Sequence, residues 1–330
     1  MISTKPFHTF QLDSTAQSVI YITEQSQLSE LDLPIPSIIL GQGSNTIFIN
    51  DYKGQLIVNQ LKGINVLESD DSFVIKVKSG ENWHKFVKYC LSKKIYGFEN
   101  LALIPGTVGA APIQNIGAYG VEIEKFINKV EYYDFELKKC EVLSNQECLF
   151  AYRDSIFKHD LKDKAFITEV EFVVPKAWQA EQQYAPLDNL NAPSAMDIYN
   201  LVCDTRKSKL PNPYEVGNAG SFFKNPIVSI QLGRELSSQY PTIPIYPIDN
   251  TKVKLAAGWL IDQCNLKGIE HKSVAVHSKQ ALVLINKTGQ ANGADLLELV
   301  TMIQYKVNDK FNVSLEPEVR LIADLGEIQI

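Results

Sequence analysis

Three segments carry side chains that handle charge and protons. Residues 152–158 read YRDSIFK, and the Arg153 guanidinium is shaped to pair with a carboxylate through two parallel hydrogen bonds. Taken alone, a solvated turn with a surface ion pair explains Arg153 or Lys158 more simply. Residues 217–226 read GNAGSFFKNP, with Ser221 directly after a glycine and before two aromatics. A serine so placed is a candidate proton donor or nucleophile. The G-x-S-x-G elbow of hydrolases is absent, and a helix N-cap serine is the plain alternative. Residues 315–320 read LEPEVR, two carboxylates flanking Pro317. Strand alternation puts Glu316 and Glu318 on one face only if the proline leaves the strand regular, and surface charge is the default for both.

Two further segments offer backbone rather than side chains. GQGSN (41–45) follows the β-type run SIIL, so backbone donors and the Ser44 and Asn45 side chains meet at a tight turn suited to a pyrophosphate. The third glycine of a dinucleotide fingerprint is missing, and strand-like TIFI follows where a helix belongs. The Gly-Lys-Ser/Thr of a Walker loop is missing too, and a plain hairpin turn is an equal reading. PGTVGAAPIQNIGAYG (105–120) holds sixteen residues with four glycines, three alanines and no charge. Such a loop lies flat against a ring and frees N–H groups; its bland reading is a tight crossing of two core elements. Together the two uncharged segments suit a dinucleotide held by backbone. FAD is the natural candidate, because its ring needs a flat, close-approach surface.

Periodicity supplies the elements that position these residues. β-type runs at 18–22, 37–40, 46–49, 55–61 and 73–80 precede a helix over 82–94, with apolar residues at 83, 86/87 and 90/91 and a stop at Gly97. Strands follow at 130–135 and 165–175. The stretch 176–194 is polar, proline-containing and aperiodic, an exposed excursion or lid. Ser194 opens a capping box and a helix with Ile198, Leu201, Val202 and Thr205 on one face, broken within 206–213 by two prolines. A helix over 255–268 closed by Gly268, strands at 273–277 and 281–286, a helix over 292–311 and a strand at 313–322 interrupted by Pro317 complete the pattern. The order is α+β, without regular βαβ alternation.

Composition narrows the class. Hydrophobic content of 45%, a net charge of −6 and a pI near 5.5 argue against a general nucleic-acid or anionic-membrane binder. No run approaches the roughly 18–20 apolar residues of a membrane span, and the first residues lack a signal-peptide core. A cytoplasmic protein without membrane insertion is expected. Five scattered cysteines without a CxxC pair, and five histidines without ligand spacing, predict reduced thiols and no metal.

In order, GxGSN, PGTVGAAPIQNIGAYG, YRDSIFK, NAGSFFKNP, AAGWLIDQCNLKG and LEPEVR resemble the UDP-N-acetylenolpyruvoylglucosamine reductase family, from about residue 15 to 325. The resemblance implies an FAD-binding domain of the vanillyl-alcohol-oxidase (PCMH) type in two lobes plus a C-terminal α+β substrate domain. The implied division is 1–63 with 319–330, then 64–209 including the 176–194 excursion, then 210–318. It further implies an NADPH-dependent flavoenzyme, a monomer, that reduces UDP-N-acetylglucosamine enolpyruvate to UDP-N-acetylmuramate in peptidoglycan synthesis. Carried over by position, Arg153, Ser221 and Glu318 look catalytic, with Ser221 the proton donor. Gly41, Gly43, Ser44, Asn45 and Thr46 resemble the pyrophosphate site. Pro105, Gly106, Thr107, Val108, Gly109, Asn115, Gly117 and Ala118 resemble the flavin loop, and Tyr119 a position shared by flavin and substrate. Arg206, Lys209, Asn225 and Gln263 resemble substrate-binding positions, and Tyr184 the lid tyrosine of one subclass. Gln42, Ala110 and Ala111 stand where many relatives have glycine; alanine still permits close approach. A rival oxidase reading calls for a flavin-attaching histidine, and 105–120 contains none. A catalytically silent binding protein predicts loss of at least one of Arg153, Ser221 and Glu318, and all three are present.

Overall fold

A computed structural model describes residues 1–330 apart from 32 and 34. The chain forms two compact units. One comprises residues 18–42 and 54–208 and carries Arg153; the other comprises 1–17, 43–53 and 209–330 and carries Ser221. They are called here the arginine unit and the serine unit.

The arginine unit is built on a five-stranded antiparallel sheet, in the order Lys139–Ser144, Ile127–Asp134, Ala165–Pro175, Ser72–Lys78, Ile64–Glu68. Period-two alternation decides its two faces. Val130, Val170 and Val77 share one rung, Phe172 and Ile75 another, and all five are fully buried. On the opposite face Lys78 pairs with Glu169 at 2.9 Å and Lys76 with Glu171 at 3.6 Å, each directly across the ladder. Helix Trp83–Ser92 buries Trp83, Phe86, Val87, Cys90 and Leu91, and Phe86 stacks on Phe172 at 5.4 Å. Asn82 caps it by accepting from Lys85 N at 2.8 Å. The helix ends before the expected stop at Gly97, and Lys94 takes a positive φ of 58°. Ser37–Leu40 runs parallel to Tyr52–Asn59 and leads into residue 41. The 176–194 stretch contains no strand and no α-helix, only the 3-10 turn Leu187–Asn189. Ser194 and Asp197 form the capping box, with Asp197 N donating to Ser194 Oγ at 3.2 Å. Helix Ala195–Lys209 stops inside the expected break at 206–213, because Pro211 disfavours helical geometry at Leu210 before it.

The serine unit holds a four-stranded sheet in the order Gly217–Ser221, Val283–Asn286, Val274–Val276, Glu270–His271. Helix Gly293–Phe311 buries Leu296, Leu299, Val300, Ile303 and Val307 at the usual three- and four-residue spacing. Thr46–Phe48 pairs in parallel with Arg320–Ile322. Two expected elements are shorter. The strand over 313–322 survives only as Arg320–Ile322, since Pro317 has no N–H for a ladder and makes an isolated bridge with Phe223. The helix over 255–268 reduces to Ala257–Gln263, because Leu255 closes strand Lys252–Leu255 and donates to Pro226 O at 2.9 Å. Helix Ile230–Gln239, capped by Ser229, lies in a stretch that the sequence reading left unassigned. Among the described residues no helix is long and apolar enough to cross a membrane.

Candidate active site

In the arginine unit, Gly41 and Gln42 lie beside the 105–109 stretch. Gly106 N donates to Gln42 Oε1 at 3.2 Å. A Cβ on Gly41 would stand 2.5 Å from Thr107 Oγ1, so only glycine lets the two loops come this close. The 105–109 stretch is fastened from beneath: Val108 N donates to Glu81 O and Gly109 N to Ser79 O, each at 2.8 Å, and Trp83 N donates to Gly106 O at 3.0 Å. Along 105–109 the tight-crossing reading is therefore correct as well, since Ser79 fills the space beside Gly109.

Residues 113–119 are tied to the arginine turn. Asn115 is fully buried; its amide donates to Glu122 Oε2 and Ala151 O at 3.2 Å, and its oxygen accepts from Glu124 N at 3.1 Å. Ser155 Oγ donates to Ile113 O at 2.7 Å. Ala151 and Asp154 exchange two backbone bonds of 3.1 Å, leaving Tyr152 and Arg153 at the corner. Arg153 has a φ of 55°. Its Nη2 donates to Gly117 O at 2.9 Å, and Gly117, lacking a Cβ, leaves the other nitrogen room. Ala118 follows in the two-residue strand Gly117–Ala118, and Tyr119 at the next turn has a φ of 47°.

Tyr119 and Arg206 come together in this unit. Burial pushes the Tyr119 phenol up, and the nearby Arg206 guanidinium opposes the shift. Burial also pulls the Arg206 guanidinium down, and its Nε makes no hydrogen bond. A half-buried guanidinium with an unmet donor has the chemistry to pair with an anion. Tyr184 is 45% exposed, and its ring lies against Gly120.

In the serine unit, the turn at 43–45 meets the carboxylate segment. Asn45 Nδ2 donates to Glu318 O at 3.0 Å, Arg320 N donates to Asn45 O at 2.9 Å, and Thr46 opposes Arg320 in the parallel ladder. Thr9 N donates to Gly43 O at 3.3 Å, next to Ser44. Ser221 ends strand Gly217–Ser221 after a register irregularity, with Gly220 at a φ of 70°. It is a strand residue and not a helix N-cap. The chain then runs antiparallel to 316–318: Glu318 N donates to Phe222 O at 2.7 Å and Lys224 N to Glu316 O at 2.9 Å. Ser221 and Glu318 thus sit on neighbouring segments. Pro317 separates the two carboxylates, leaving Glu316 exposed beside Lys224 and Glu318 half-buried. Asn225 uses its oxygen to accept from Ala257 N at 2.9 Å, at the start of helix Ala257–Gln263. Gln263 is exposed at the end of that helix, and Lys209 is exposed at the end of its own. Glu99 and Asn100, which sequence reasoning passed over, are both buried beside this loop region of the arginine unit.

Two family models match the chain: an FAD binding domain over residues 31–143, and the C-terminal domain of UDP-N-acetylenolpyruvoylglucosamine reductase over 212–322. The reductase of Pseudoalteromonas translucida is 48% identical over 328 residues, covering 99% of this chain and 97% of the relative. The chain belongs to the UDP-N-acetylenolpyruvoylglucosamine reductase family. The reductase of Escherichia coli K12 is 46% identical over 333 residues, with 99% and 97% covered. The solved reductase of Thermus caldophilus shares the fold, with a TM-score of 0.67 and 97% of each chain covered at 21% identity.

Proposed function

We infer that the chain is an FAD-containing, NADPH-dependent reductase that converts UDP-N-acetylglucosamine enolpyruvate to UDP-N-acetylmuramate in peptidoglycan synthesis. The observation that carries this reading is the 48% identity to a reductase of that name across nearly the whole of both chains. The residues present suit the cofactor. The segments at 41–42 and 105–109 adjoin, uncharged and rich in glycine, as one extended dinucleotide requires. Gly41, Gly43, Ser44, Asn45 and Thr46 would hold the pyrophosphate side; Pro105 through Gly109, with Asn115, Gly117, Ala118 and Tyr119, would shape the flavin side. When bound, the flavin supplies hydride chemistry, taking a hydride from NADPH and giving it to C3 of the enol ether.

Arg153 binds the substrate carboxylate, where negative charge builds as C3 is reduced. A cation there favours the transition state over the ground state. Ser221 Oγ gives its proton to C2, and Glu318 orients or polarises the reacting enol ether. A serine hydroxyl is a weak acid, so the developing charge at C2 must drive the transfer. Arg206, with its unmet Nε, and Lys209 suit the UDP phosphates. Asn225 and Gln263 complete the substrate set, and Tyr184 belongs to a lid, as in the subclass that carries one. The same reading includes a monomer in the cytoplasm and the division 1–63 with 319–330, 64–209, 210–318.

The test is anaerobic stopped-flow absorbance of the flavin. NADPH should bleach the purified protein, and UDP-N-acetylglucosamine enolpyruvate should restore the colour. Ser221→Ala should bleach normally and recover at least about a hundredfold more slowly, the scale of losing a positioned proton donor. Recovery at the wild-type rate would remove Ser221 from its role, and folded protein without flavin would end the reading.

A further inference from the structure

The 176–194 excursion is fastened at its root by two consecutive buried side chains. Glu99 is 2% exposed and Asn100 1%. Glu99 Oε2 accepts from Gly97 N at 2.6 Å, and its Oε1 accepts from the Trp178 indole N–H at 2.5 Å. Trp178 also packs edge-on against Tyr96 at 6.0 Å. Asn100 Nδ2 donates in two directions, to Tyr119 O and to Glu181 O, both at 2.8 Å. One amide thereby joins the loop that carries Tyr119 to the excursion that carries Tyr184. Past Glu181 the next buried anchor is Leu187, fully buried, and the five residues 182–186 between them are half-buried or exposed. Tyr184 stands in the middle of that span, with its ring over Gly120.

We propose that Glu99 and Asn100 are positioning residues: a clamp that fixes 178–181 to the 119–120 turn, confines motion of the excursion to 182–186, and so sets the distance of Tyr184 from Tyr119. The clamp rests on the reading above that Tyr119 is shared by flavin and substrate and that Tyr184 is the lid tyrosine. An ordinary lid hinges at its ends, near 176 and 194. Here the buried carboxylate and amide move the near hinge to Gln182, because releasing 178–181 would leave Glu99 Oε1 and one of the two Asn100 amide hydrogens unmet. A short suspended span reaches the substrate with less ordering than a long one.

The experiment measures steady-state kinetics with UDP-N-acetylglucosamine enolpyruvate, and hydrogen–deuterium exchange over 178–187, on the flavin-loaded protein. Asn100→Ala should raise KM about tenfold with kcat within about threefold, as expected for two lost buried hydrogen bonds that act through substrate placement. Trp178→Phe removes one N–H and keeps a ring; it should raise KM by a few-fold and leave the flavin spectrum unchanged. Both should speed exchange at 178–181. Tyr184→Ala combined with either variant should have no larger KM than Tyr184→Ala alone, because all act on one element. Additive effects, an unchanged KM in Asn100→Ala, or unchanged exchange would overturn the clamp. If Asn100→Ala fails to fold, Trp178→Phe and its combination with Tyr184→Ala decide by the same criteria. If Tyr184→Ala itself leaves KM unchanged, the substrate reading of Tyr184 is what fails. The clamp is then judged by exchange at 178–181 alone.

Discussion

Arg153 stands at the corner of a two-residue turn and itself adopts a φ of 55°, whereas Ser221 ends a strand and leaves the positive φ of 70° to Gly220. In one region the arginine itself carries the backbone strain; in the other a neighbouring glycine absorbs it without cost. The arginine turn persists because it is braced: Asn115 and Ser155 tie it to 113–119, and Lys158 Nζ donates to Arg153 O at 2.9 Å. The serine strand is set by its ladder with Val283 and by residues 8–12 beneath it, where Asn218 N donates to Thr9 O at 3.0 Å.

The largest expected effect is on chemistry. Arg153→Met should lower kcat by about 100- to 1000-fold, roughly 3–4 kcal/mol of barrier, with flavin content unchanged in the absorption spectrum. A loss under tenfold would mean that the strained turn serves packing alone.

Acid should separate the two regions. Burial pushes the His8 imidazole down to about 4, below its ordinary 6.5, while Nε2 lies 3.2 Å from Leu12 O. The unfolded chain therefore takes up this proton first. Stability is complete above about pH 6.5 and falls as pH drops towards 4, by about 3 kcal/mol in all. Urea unfolding at pH 7 and 4.5 measures the loss, and His8→Leu should flatten it. Because residues 8–12 underlie the serine strand, exchange at 217–221 should quicken before exchange at 151–155. Simultaneous loosening would contradict the contrast drawn between the regions.

Two smaller effects isolate the backbone. A Cβ on Gly220 meets nothing within 4 Å, so Gly220→Ala tests φ alone and should destabilise by about 1–2 kcal/mol. At the arginine turn, Arg153→Gly should be more stable than Arg153→Ala by about 1 kcal/mol in thermal unfolding, though both lose the side chain. Equal stabilities would show that the turn relaxes once the guanidinium is gone.

What the sequence made legible follows from periodicity and local chemistry. Alternation through 73–80 and 165–175 announced the strands whose Val77, Val170, Ile75 and Phe172 form the core rungs, and Ser194 announced its capping box. The order of motifs pointed to the family. Hidden features are those decided by distant partners. Nothing in YRDSIFK signals a positive φ at Arg153, which depends on Gly117 and Asn115. LEPEVR reads as a strand until Phe223 is opposite Pro317. Glu99 and Asn100 look like surface residues in FENLALIPG, since burial of a polar side chain is a property of what later covers it, here Trp178 and Glu181. Helix Ile230–Gln239 escaped because its apolar positions are few, with only Gly233 and Leu236 buried.

The parallel pairing of Thr46–Phe48 with Arg320–Ile322 sets an order of events during synthesis. The ribosome releases residue 46 long before residue 320, and among the described residues no other strand joins Thr46–Phe48 in a ladder. A nascent chain therefore exposes a short apolar strand until residues 320–322 emerge, the condition under which a chaperone's holding activity matters most. Asn45, whose amide reaches Glu318 O, then gains that bond only after 273 further residues have been made.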